Sequence, residues 1–233
     1  MKRLPFVLLI LFVLDFVIDA FIVNAGYAPA RYISKGLLML LLLAFFLSEI
    51  RGYWNIANRK YISLICSALL FSFAGDMFLV GESSLNFILG IGGFLLAQLS
   101  YVAFFYSVGS FAKKHFAFLF IAALLILAYL VIINYLFLPV VSEQRLTVPV
   151  LVYSLVLGLM LFTSVNVAFS ARWRKIAVYF FIPGAVIFVS SDSMIAFNRF
   201  YLSTPLPGFY IMFTYCIAQL LIVKGAARLI KEE

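Results

Sequence analysis

Long apolar runs alternate with short polar breaks along this chain, and the runs share one characteristic length. A helix needs about 20 mainly apolar residues to cross a hydrocarbon core of about 30 Å. On that measure the sequence predicts eight membrane-spanning helices, over 4–23, 31–49, 60–80, 85–107, 116–138, 148–169, 176–198 and 206–227. The fold class expected is all-α, an integral membrane bundle, with 1–233 forming a single transmembrane domain. The N-terminal "MKRLPFVLLILFVL" has the basic start of a signal peptide. Its apolar run contains Asp15 and Asp19 and continues to Val23, longer than a signal core, so a retained first helix is expected.

Composition agrees: 66% hydrophobic and 11% charged residues, with a mean hydropathy of +1.16, leave too little polar surface for a water-soluble globule. The net charge of +8 changes the picture only through its placement. With the N-terminus in the cytoplasm, 13 of the 17 basic residues gather at cytoplasmic ends: Lys2, Arg3, Arg51, Arg59, Lys60, Lys113, Lys114, Arg172, Arg174, Lys175, Lys224, Arg228 and Lys231. Arg31, Lys35, Arg145 and Arg199 remain for the other side, which is the positive-inside asymmetry. Both termini are expected in the cytoplasm, in a plasma membrane (the inner one in a bacterium), and no nucleic-acid partner is implied. Cys66 and Cys216 stand alone in apolar runs and read as packing residues. His115, the only histidine, follows two lysines at a polar surface, so a histidine-built zinc site is excluded and no cofactor is expected.

Two stretches resemble each other. Span three ends "FSFAGDMFLV" and span seven ends "FVSSDSMIAF", and each is followed by a helix carrying Ala-Gln-Leu, at 97–99 and 218–220. The separations from Asp76 to Gln98 and from Asp192 to Gln219 are 22 and 27 residues, and the extra five fit in the loop "RFYLSTPLPG". Two parallel four-helix repeats would set the two aspartates facing each other across a cavity. The run "GIGG" at 90–93 lacks the strand and glycine spacing of a phosphate loop and fits close helix packing instead.

Charged groups inside bilayer helices cost about 2.5 to 3.5 kcal/mol each on insertion scales, so they turn toward a protein interior or a wet cavity. Asp19, Lys35 and Asp76 lie roughly 6 Å from the outer ends of their helices, and Asp15 and Asp192 roughly 9 to 12 Å in. Asp15 and Asp19 share a helix face, as do Ser72 and Asp76, Gln98 and Tyr101, and Tyr215 and Gln219. These faces predict one outward-opening acidic cavity, with Lys35 its only buried cation and Arg199 at the rim. For Lys35, Asp15 and Asp19, structural pairing and function weigh equally. One lysine cannot neutralise four carboxylates, so Asp76 and Asp192 are the candidate functional pair, and at least one carboxyl is expected to keep the proton a general acid needs.

The stretches "GDMFL" (75–79), "FILGIGGFLLAQLSYVAFF" (87–105), "VPVLVYSLVLGLM" (148–160), "GAVIFVSSDSMIAFNRF" (184–200) and "YCIAQLLIVKGA" (215–226) resemble the YhhN-type lysoplasmalogenases. Lys35 falls where such proteins often carry Lys-Pro, with Gly36 following here, and Gln98 stands where they often have histidine. The resemblance implies hydrolysis of the vinyl-ether bond of a lysoplasmalogen, a lysophospholipid, to a fatty aldehyde and a glycerophospho-alcohol. It implies Asp76 and Asp192 as catalytic acid and carboxylate, in an order left open. For substrate binding it implies Lys35, Arg199, Asn198, Gln98, Tyr101, Tyr153, Tyr215 and Gln219, with Lys35 or Arg199 on the phosphate. Embedded carboxylates also suit a proton-coupled transporter of a small solute or lipid, although Pro183 in span seven has no counterpart in span three. A non-catalytic scaffold is the third reading. Oligomeric state is not encoded in any motif of the chain.

Overall fold

The computed structural model describes residues 3–25, 28–81, 83–200 and 208–233. Lys2 and the connection over 201–207, where the five extra residues were expected, lie outside the described residues. Eight helices are long and apolar enough to cross a membrane: α1 (Arg3–Ala25), α2 (Ala28–Ile50), α3 (Arg59–Val80), α4 (Ser84–Val108), α5 (Phe116–Glu143), α6 (Thr147–Val167), α7 (Arg174–Phe200) and α8 (Gly208–Glu232). No strand occurs among the described residues. The chain is a multi-pass membrane protein: each helix satisfies its own backbone polar groups, as hydrocarbon demands, and each is long and apolar enough to cross.

The helix ends lie within five residues of the predicted ones, and the largest departures have local causes. α5 runs through Pro139 to Glu143 instead of stopping at 138; prolines are tolerated in bilayer helices, where neighbouring groups satisfy the freed carbonyl. In α7 the break expected at Pro183 is a π-helical turn over Ala177–Phe181, just before it. Proline lacks the N–H for the ordinary bond to the carbonyl four residues back, that of Tyr179, and the wider turn absorbs the mismatch. Side-chain oxygens of Asn58 and Ser83 accept from the backbone N–H groups of Lys60 and Asn86 (3.0 and 3.1 Å), fixing where α3 and α4 begin.

Successive helices pack as antiparallel neighbours except at α4, which packs on α6 and leaves α5 outside, and α8 packs against α1, α2 and α3 as well as α7, which makes it the central post of the bundle. α5 lies outside: 11% of its most apolar stretch is buried, against 50% in α2 and α8, and its exposed leucines and aromatics suit contact with lipid. The α3–α4 hairpin closes through glycine. A Cβ on Gly93 would lie 2.7 Å from the backbone nitrogen of Gly75, and one on Gly90 would lie 2.5 Å from Leu79 Cδ2. Gly90 and Gly93 therefore do the close packing expected of "GIGG", whereas Gly92 faces open space. That approach brings Asp76, the residue after Gly75, toward the centre of the bundle.

Candidate functional site

Asp76 is held from two other helices, α2 and α8. Lys35 Nζ on α2 lies 3.1 Å from its Oδ1, and Tyr215 on α8 donates its hydroxyl to Oδ2 at 2.7 Å. Behind Tyr215, Gln219 Nε2 donates to Ser72 Oγ at 2.9 Å and to Tyr215 Oη at 3.4 Å, while its Oε1 accepts from the Tyr101 hydroxyl. The predicted faces Ser72/Asp76 and Tyr215/Gln219 thus meet Tyr101 in one buried network. Asp76 itself is 1% exposed.

Asp192, on α7, is 9% exposed and has a different setting. Tyr153 of α6 donates its hydroxyl to Asp192 Oδ2, and among the described residues no cation lies within 4.0 Å of the carboxylate. Asp192 lines a slot of about 70 Å³ whose other walls include Leu79, Ile91, Phe94, Val150 and Tyr153. The two carboxylates share a partition: the Tyr215 ring packs edge-on against Phe94 (5.8 Å), a wall of the slot, and against Phe188 (5.7 Å), one turn before Asp192.

A larger cavity of about 500 Å³ adjoins the slot, since Leu79, Phe87 and Ile195 line both. Its charged and amide lining is Arg31, Lys35, Asn198 and Arg199. The Arg199 guanidinium lies over the Phe87 ring, 4.9 Å from its centroid, at the border between the two spaces. The expectation of an acidic cavity is therefore corrected: its charged lining is basic. The carboxylates are drawn inward by their own partners, Asp76 by Lys35 and Tyr215, and Asp19 by Ser34, whose hydroxyl donates to Asp19 Oδ1 at 2.6 Å. Lys35 pairs with Asp76 and not with the α1 aspartates. Asp15 and Asp19 each keep one buried oxygen without a partner and line neither cavity.

The predicted residues thus fall into three groups. Asp192 and Tyr153 meet at the slot; Lys35, Asn198 and Arg199 line the larger cavity; Asp76, Tyr215, Gln219 and Tyr101 form the network behind them. Gln98 is fully buried with its amide against the Tyr153 hydroxyl, and among the described residues its amide makes no other hydrogen bond. Arg31 was read only as a topology residue, yet it lines the larger cavity with its Nε unpartnered. Its i,i+4 spacing to Lys35 is the signal that marks it. Among the described residues no three His, Cys, Asp or Glu side chains converge as a metal site.

Residues 30–226, spanning α2 to most of α8, match the YhhN family. The chain belongs to that family. The chain is 32% identical over 166 residues to the lysoplasmalogenase TMEM86B of Mus musculus, covering 71% of this chain and 62% of the mouse protein. It is 30% identical over 159 residues to a lysoplasmalogenase of Mycobacterium tuberculosis (strain CDC 1551 / Oshkosh), covering 68% and 58%. The human lysoplasmalogenase TMEM86B is 32% identical over 169 residues, covering 72% and 65%. The chain thus spans about three-fifths of the length of these relatives. No solved structure matches the chain.

Proposed function

We propose that this YhhN-family protein is a membrane-embedded hydrolase that cleaves the vinyl-ether bond of lysoplasmalogens, releasing a fatty aldehyde and a glycerophospho-alcohol. The observation that carries the proposal is the continuity of a basic cavity with an apolar slot that has Asp192 in its wall. A lysoplasmalogen has the same polarity: an anionic phosphate, then a glycerol, then one alkenyl chain joined through the vinyl ether. Arg31 and Arg199 take the phosphate, which bidentate guanidinium groups suit. The slot receives the start of the chain, and the remainder lies in the bilayer. The names borne by the relatives support the same substrate class.

In the proposed chemistry Asp192 is the acid and Asp76 the standing carboxylate. Asp76 has Lys35 against it, and a lysine at 3.1 Å favours the ionised form. Asp192 has no such cation and donates its proton to the vinyl carbon beyond the ether carbon. The double-bond electrons form the new C–H bond and leave an oxocarbenium ion, stabilised by the Asp192 carboxylate and the fixed negative charge of Asp76. Water adds to the ether carbon and returns a proton to Asp192, giving a hemiacetal. The carbon–oxygen bond to glycerol then breaks as the hemiacetal proton moves to the glyceryl oxygen. Tyr153 orients Asp192, and the Gln98 amide behind it steadies the tyrosine.

The test is mass spectrometry of a lysolipid panel incubated with the purified protein. Aldehyde and glycerophospho-alcohol from the vinyl-ether lipid alone are expected. Fatty acid from an ester lysolipid, release of the head group, or movement of an unchanged solute into proteoliposomes would each overturn the reading.

A further inference from the structure

The end of the bundle away from the two aspartates holds a second built feature. Between α2, α7 and α8 lie two cavities of about 280 and 240 Å³, and Phe180 and Arg228 line both. Lys224 and Lys231 line the first with Glu49; Lys175 lines the second with Glu232. Four cations therefore face two carboxylates. Glu49 is taken by Lys231 in a close ion pair. Arg228 Nε lies 3.8 Å from Glu232, an exposed pair that contributes little, and its guanidinium also covers the Phe180 ring at 5.5 Å. Among the described residues no carboxylate lies within 4.0 Å of Lys175 or Lys224.

The backbone is shaped around this groove. The π-helical turn Ala177–Phe181 packs directly on α8 at Gly225, where a Cβ would meet Phe181 Cε1 at 2.5 Å and Phe180 Cβ at 2.7 Å. That contact sets Phe180 as the partition between the two cavities. Beside it, Tyr179 lines the second cavity and is 70% exposed, and its chain neighbour Val178 is 44% exposed, so apolar surface flanks the groove. Topological bias accounts for an excess of cations at this end of the helices. It does not account for cations arranged around two open clefts with an apolar partition between them and an exposed apolar flank.

We propose that this groove is a binding site for an anionic phospholipid, with the head-group phosphate between Lys175 and Lys224 around Arg228 and the acyl chains along Val178 and Tyr179. The unneutralised pair of lysines matches the charge of a phosphodiester, and the apolar flank at the helix ends suits a lipid rather than a free anion. The site is independent of the proposed vinyl-ether chemistry, which uses the opposite end of the bundle.

Native mass spectrometry of the full chain, delipidated in detergent and titrated with dioleoyl phosphatidylglycerol or phosphatidylcholine, tests it. The wild type is expected to retain phosphatidylglycerol preferentially. Each of Lys175→Gln and Lys224→Gln weakens that retention by roughly fivefold, and the pair by roughly 25-fold, with phosphatidylcholine unaffected. Lys114→Gln, a cation outside the groove, leaves retention unchanged. Thermal unfolding of each variant reports that the fold is kept, and the wild-type preference between the two lipids is a readout that needs no variant. Equal retention of both lipids by the wild type, full retention by the double variant, or displacement of the lipid by inorganic phosphate would overturn the proposal.

Discussion

The α3–α4 and α7–α8 hairpins each carry an aspartate followed by an Ala-Gln-Leu helix, and the two surroundings differ in almost every respect. Asp76 is sealed behind Lys35 and Tyr215, lines neither the slot nor the larger cavity, and sits on a network in which both ends of the Gln219 amide are bonded. Asp192 faces a slot and has a tyrosine and, among the described residues, no cation within 4.0 Å, with Gln98 behind the tyrosine. In the proposed chemistry, one residue type in two similar local sequences serves as a fixed charge and as a reactive group according to what packs against it. The assignment of Asp192 as proton donor rests on this difference, and the comparison can be broken at several points.

The largest effect is expected at Asp192. Asp192→Asn removes the only proposed acid and should lower aldehyde release from lysoplasmenylethanolamine by about a thousandfold while the protein stays folded. Asp76→Asn acts first on stability: it strands Lys35 in the interior, and thermal unfolding should show a loss of about 3 kcal/mol or more. Adding Lys35→Met to that variant should recover most of the stability and little of the activity, which separates the charge pair from the chemistry. Smaller again, Arg31→Gln or Arg199→Gln should raise KM for the lysolipid about tenfold with kcat unchanged, because each loses a charge-assisted bond to the phosphate. Tyr153→Phe should have the smallest effect, a slowing of about fivefold, as one hydrogen bond to Asp192 is lost.

Much of this architecture can be read from the sequence. Apolar run lengths placed eight helices, and helical spacing placed Ser72 with Asp76 and Tyr215 with Gln219 on common faces. Spacing within one helix does not say which neighbour a face meets. Lys35 was therefore as well matched to Asp15 and Asp19 as to Asp76, and only the packing of α2 against α3 resolves it. The sign of the cavity failed for the same reason: counting buried carboxylates predicted an acidic space, whereas the carboxylates turn to their partners and leave Arg31, Lys35 and Arg199 on the wall. The resemblance between the two hairpins likewise hides the unequal bonding of Gln98 and Gln219, which depends on side chains from other helices.

Deuterium labelling tests the central claim most directly. When the purified protein turns over a lysoplasmalogen in D2O and the aldehyde is reduced at once, protonation at carbon by Asp192 predicts one deuterium on the carbon next to the former carbonyl. The Asp76→Asn/Lys35→Met variant should give the same label in whatever product it forms, and Asp192→Asn should give almost no product. Aldehyde without deuterium at that carbon, or undiminished labelled aldehyde from Asp192→Asn, would contradict the account.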